Sequence, residues 1–146
     1  LTAVEPFRSY PVAHLVATPI PSRHKDDEMC LNYLLTEPGS GKTLLYASDT
    51  GWYQDTTWEF LSGRRLDAVV LECGLGVSET GYEGHLTFAG CVAVKEKLTA
   101  SKSLLANAPF YLTHISHTGL LCHDQLTERA APHGISVAYD GLEITF

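Results

Sequence analysis

The chain is 146 residues long, with 45% apolar residues, 18% charged residues and a formal net charge of −7. That is the make-up of one globular domain able to bury about two-thirds of its unfolded surface, and it excludes a disordered chain. It leaves no basic footprint for nucleic acid or an anionic membrane, and no apolar run approaches the about 20 residues of a membrane span. A small phosphate-bearing substrate stays open, because a metal ion would supply the local positive charge. Leu1 neither opens a signal peptide nor is an initiator methionine, so the chain is expected to be processed or to be a piece of something longer. Cys30, Cys73, Cys91 and Cys122 form no C-x-x-C pair and read as reduced thiols of a cytoplasmic protein, not as disulfides or a zinc-thiolate site.

Residues 1–12 read as an irregular lead-in, broken by Pro6 and Pro11. A strand is expected over Ala13–Thr18, stopped by Pro19 and Pro21, and a polar loop follows over Ser22–Glu28. Strands at Cys30–Thr36 and Thr43–Ser48 flank the Gly/Pro-rich connection Glu37–Lys42, which reads as a hairpin. Gly39-Ser-Gly-Lys-Thr43 there imitates a nucleotide-binding P-loop, but Thr36 stands where the motif needs glycine. A strand, not a helix, is expected after it. A short helix runs from Trp52 to Leu61, a central parallel strand over Asp67–Cys73, a Gly-rich loop from Gly74 to Gly84, and a helix from about Thr87 to Ala100. Phe110–Ser116 is another strand with a polar end, Leu121–Ala131 a helix, and Ile135–Tyr139 with Leu142–Phe146 a closing hairpin across Asp140-Gly141. Strands alternating with helices make a layered α/β domain.

Polar residues recur at comparable places in this pattern. Asp49 ends an apolar strand, a position where α/β enzymes put metal ligands and catalytic acids, although a carboxylate there can equally cap the following helix. His24 lies in a loop after one strand, His85 stands just before a helix, and His114 ends a strand. Imidazoles with a carboxylate suit zinc, manganese or iron. Water bound to such an ion ionises near neutral pH and becomes a nucleophile, and a histidine left off the metal can protonate a leaving group. Taken singly, each has a plainer reading: His24 as a solvated loop residue, and His85 as a helix-entry residue. His117, His123 and His133 read as surface or capping residues, and Glu72 as a core-strand acid without a catalytic role.

Thr18-Pro-Ile-Pro-Ser-Arg-His24, Leu45-Tyr-Ala-Ser-Asp49-Thr50-Gly51, Gly84-His85-Leu86-Thr87 and Leu112-Thr-His114-Ile-Ser116 resemble, in order, the later motifs of the metallo-β-lactamase superfamily. The nearest branches are its cyclic-phosphate phosphodiesterases and tRNA 3′-processing endonucleases. The resemblance implies a layered αββα fold, here only its C-terminal half, with a mixed sheet and helices on one side. It implies that His24 ligates one metal, Asp49 bridges two and His114 ligates the other, with zinc or manganese as the metal. His85 matches the histidine that contacts the scissile phosphate or assists the leaving group. It further implies phosphodiester hydrolysis by a metal-bound hydroxide, on a small phosphate ester in preference to nucleic acid; thioester or lactam hydrolysis stays open.

The sequence departs from the family in one respect. The first motif, H-x-H-x-D-H, which supplies most of the ligands for both metals, is absent. Residues 1–146 are therefore expected to form one partial domain, a C-terminal fragment with little or no activity alone, dimerising through the face its missing half should cover. The contrary expectation is a non-catalytic binding or scaffold half-domain with vestigial ligands.

Overall fold

The computed structural model describes residues 3–146. Seven strands form one mixed sheet in sequence order: β1 (Tyr10–Val12), β2 (Leu15–Pro21), β3 (Leu31–Thr36), β4 (Thr43–Ala47), β5 (Ala68–Glu72), β6 (Phe110–Thr113) and β7 (Ser136–Val137). The first three junctions are antiparallel and the last three parallel. Hairpins suffice for the former; each parallel step needs a crossover, which α1 (Asp55–Leu61), α2 (Phe88–Ala100) and α3 (His123–Ala130) supply.

One face of this sheet makes the core. Leu34, Leu45, Ala47, Val69, Leu71, Phe110, Leu112 and Val137 join a single buried cluster with Trp58 and Leu61 of α1, Cys91, Val94 and Leu98 of α2, and Leu126 and Ala130 of α3. All three helices thus pack on the same side, as expected for the resemblance. In α2 the buried residues fall at the spacing of one helical stripe, and the Thr87 hydroxyl caps the first turn by accepting from the Gly90 amide. On the other face, register aligns Tyr33, Tyr46, Val70 and Tyr111 in one row across four strands.

Three elements differ from expectation. Residues 10–12 are a strand, not an irregular lead-in. β2 continues through both prolines, because the Pro19 carbonyl accepts from Phe7 N on the side away from β3. The nitrogen of the same residue points that way too, beyond the end of β1, so its missing proton deprives the ladder of nothing. Finally, the closing hairpin does not form: Asp140-Gly141 does turn the chain, with Leu142 N on the Tyr139 carbonyl, but residues 142–146 are not strand. β7, two residues long and paired parallel to β6, is too short to template a return strand. The segment runs back instead to the start of β4, where the Lys42 ammonium donates to the Phe146 carbonyl at 2.6 Å.

Candidate metal centre

The parallel strands deliver their C-terminal ends to one lip, since Ala47, Leu71 and Leu112 are in register. Asp49 leaves β4 and His114 leaves β6 in the left-handed region, at φ 51° and 53°. This conformation is uncommon outside glycine, though Asp and His tolerate it better than most, and it turns both side chains off the strand direction toward each other. His114 Nε2 stands 3.0 Å from Asp49 Oδ1. Asp49 caps no helix: the N-cap of α1 is Gln54.

His24 and His85 complete the group. His24, Asp49 and His85 each offer a ligand atom within 4.8 Å of the others. The three imidazoles cluster, with ring centroids 4.8 Å apart for His24 and His85 and 5.5 Å for His85 and His114. The four residues singled out in the sequence are therefore neighbours, although the set whose ligand atoms all lie close to one another holds His85 and not His114, which touches it through Asp49.

Each of two imidazoles is held from behind. His24 Nδ1 lies 3.1 Å from the Gly84 carbonyl, which can only accept, so the ring proton sits on Nδ1 and Nε2 keeps its lone pair. His85 Nδ1 lies 3.2 Å from Glu72 Oε1, so its Nε2 is likewise the outward atom. Glu72 is fully buried at the end of β5 and also accepts from the Leu86 amide at 2.6 Å and the Gly74 amide. Burial pushes its carboxyl above the ordinary range, against the pull of those donors. Sequence reasoning left Glu72 without a role, although it shares the signal that marked Asp49: an apolar strand ending in an acid.

The loop before α2 is strapped to the loop carrying His24. The Tyr82 hydroxyl donates to the His24 carbonyl at 2.7 Å, Arg23 pairs with Glu83, and the Gly51 amide donates to the Arg23 carbonyl at 2.6 Å. Gly51 is required here, because a Cβ would run into the Glu83 carbonyl.

Imidazole nitrogens with their second atoms tied down, gathered round a half-exposed carboxylate, fit a borderline divalent cation. No family model matches the chain. The crystal structure of the metallo-β-lactamase fold protein YhfI from Bacillus subtilis superposes with a TM-score of 0.71, at 21% identity, over 97% of this chain and 54% of that one. A diphosphatase of the PhnP family superposes with a TM-score of 0.66, at 26% identity, over 93% and 45%. The chain belongs to the metallo-β-lactamase fold. Coenzyme PQQ synthesis protein B of Cupriavidus taiwanensis is 30% identical over 121 residues, which cover 72% of this chain and 37% of that protein. The chain thus spans about half the length, or less, of these metallo-β-lactamase-fold and related proteins. Among the described residues no helix is long and apolar enough to cross a membrane.

Proposed function

We propose that the chain carries part of the active site of a metal-dependent hydrolase of phosphodiesters, with a small phosphate ester as substrate. The observation that carries this reading is the convergence of His24, Asp49, His85 and His114 on one lip of the sheet. The similarity to a diphosphatase supports phosphorus as the centre attacked, and the net charge of −7 argues against a nucleic-acid partner.

His24, Asp49 and His114 would hold the ion, zinc or manganese, and Asp49 has a carboxylate free to bridge two in a longer protein. A divalent cation bound there supplies Lewis acidity and lowers the pKa of water. The chain's own part is to position and to move protons. His24 and Asp49 fix the centre, and His85 presents Nε2 to the leaving oxygen while Glu72 holds the opposite nitrogen. As water's oxygen bonds to phosphorus, the phosphorus–oxygen bond to the leaving group breaks. The departing oxygen takes its proton from Nε2 of His85, which must enter the step as the imidazolium with its Nδ1 proton held by Glu72; the proton lost by water passes to solvent, from which His85 is reprotonated.

Elemental analysis tests the site: the chain should carry zinc or manganese, lost in Asp49→Ala and His114→Ala and retained in His85→Ala. Hydrolysis of a phosphodiester with an alkoxide leaving group, slow for this chain alone, should fall about 10²-fold or more in His85→Ala, and that of bis-p-nitrophenyl phosphate, whose leaving group needs little protonation, should fall less. No metal at saturating supply would favour the scaffold reading with vestigial ligands, and turnover without metal would overturn the mechanism.

The same proposal extends to the helix-free face. In this chain by itself a second copy covers the row of Tyr33, Tyr46, Val70 and Tyr111, of which Tyr46 is 44% exposed.

A further inference from the structure

A second feature adjoins His85. Between Trp52 and the loop over residues 78–83 lies a cavity of about 370 Å³, with Leu75 and Leu86 among its walls and the His85 ring at one side. It is within the range of small-molecule sites and holds one ring system, not a polymer.

Its two aromatic walls are exposed and yet fixed. Trp52 is 38% exposed and Tyr82 45%. The Trp52 ring lies 5.0 Å from that of Trp58, and the Lys97 ammonium sits 5.2 Å from its centroid. The Tyr82 hydroxyl is tied to the His24 carbonyl, and its ring lies 5.5 Å from that of His85. Large aromatic faces left in water forgo burial, and holding them still removes the ordering cost of stacking a ligand on them. The rim selects against charge: the Arg23 guanidinium is already engaged by Glu83, and Glu79 adds a second carboxylate. Among the residues lining the cavity the one guanidinium is thus already engaged, and a leaving group bearing another phosphate or a carboxylate would meet the carboxylates of Glu79 and Glu83 there.

We propose that this cavity binds an uncharged aromatic or heteroaromatic ring, and that the substrate is a phosphodiester with one arm ending in such a ring. Naming that arm the leaving group rests on the hydrolase reading above; the ring site itself does not. With phosphorus at the His/Asp centre, the departing oxygen lies at His85 and the arm continues into the cavity. Trp52 and Tyr82 are then specificity-determining residues.

The test is a titration of the metal-free chain, followed by NMR at the Trp52 indole N–H and the backbone amides of Gly81 and Gly90. Benzyl alcohol should shift these signals saturably and bind about 2- to 10-fold more tightly than cyclohexylmethanol, the margin expected of aromatic stacking. The same ring carrying a charge, 4-(hydroxymethyl)benzoate, should bind more weakly than benzyl alcohol. Trp52→Ala and Tyr82→Ala should each weaken benzyl alcohol by a similar factor, whereas Tyr82→Phe, which keeps the ring and loses only its tie to the His24 carbonyl, should weaken it less. A dispersed spectrum in each variant certifies that it is folded. The inference is overturned if benzyl alcohol gives no saturable shift, binds no better than cyclohexylmethanol or the benzoate, or is indifferent to Trp52. Because the titration needs neither metal nor turnover, ring binding in a chain that takes up no metal would sink only the hydrolase reading. Metal uptake and hydrolysis without ring binding would sink only this one.

Discussion

Glu72 holds three donors at once: the Leu86 amide, the Gly74 amide and His85 Nδ1. Glu72→Gln keeps the shape but turns one oxygen into a donor, which must then face a donor. Leaving one such group unpaired costs about 1–3 kcal/mol. Thermal unfolding should therefore show the midpoint falling by about 2–4 °C for each kcal/mol lost. An unchanged midpoint would mean the donors had found other partners and that Glu72 does not organise His85. At this scale the sequence located Asp49 and His114 at strand ends, because these are set by where an apolar run stops. It could not separate a carboxylate that faces the histidines from a helix cap. That depended on Asp49 turning into the left-handed region and on α1 starting six residues later, at Asp55, both outcomes of tertiary packing. Glu72 was legible by the same rule and was passed over, since two of its three partners, His85 and Leu86, arrive from more than ten residues away.

The parallel half of the sheet begins at a carboxylate as well. Asp67, buried before β5, accepts from the Thr43 amide at 2.9 Å and from Arg65 at 2.6 and 3.0 Å, joining the starts of β4 and β5. Burial raises its carboxyl, but the bonds from Arg65 and Thr43 outweigh this and hold it below the ordinary 3.8. A carboxyl held low in the folded state stabilises fully above its unfolded value, and that contribution drains away as pH falls through the folded one. Urea unfolding should show Asp67→Asn less stable than the parent at pH 7, with the gap narrowing below about pH 4; a gap independent of pH would exclude this account. Apolar runs disclosed β3, β4, β5 and β6 and helical spacing disclosed α2. The elements misjudged were those decided by edges. Proline is no breaker when its nitrogen faces an unpaired side, and a good turn makes no hairpin without a long enough strand before it.

Across the whole molecule, burial is lopsided. The helix-covered face packs a continuous apolar cluster, whereas the opposite face presents the tyrosine row. Sedimentation velocity should show the chain as a dimer that dissociates when Tyr46 is changed to Glu, since burying an unpaired carboxylate in that face is costly. A clean monomer at high concentration would refute self-association. The proteins of similar fold described above are roughly twice this length, a fact that composition and periodicity could not disclose. The absent H-x-H-x-D-H motif is the feature of the sequence on which the proposal of a partial site rests.

The four site residues do not stand on equal ground. Asp49 and His114 follow sheet strands directly, and His85 is tied to the fully buried Glu72; His24 is held on a loop, by the Gly84 carbonyl and the bonds of the neighbouring strap. Loops held by a few surface bonds open at lower free energy than the core. His24 is therefore expected to be the first of the four to part from the others. An ion gripping both His24 and Asp49 would oppose that opening, and its affinity would carry the free energy of closing it.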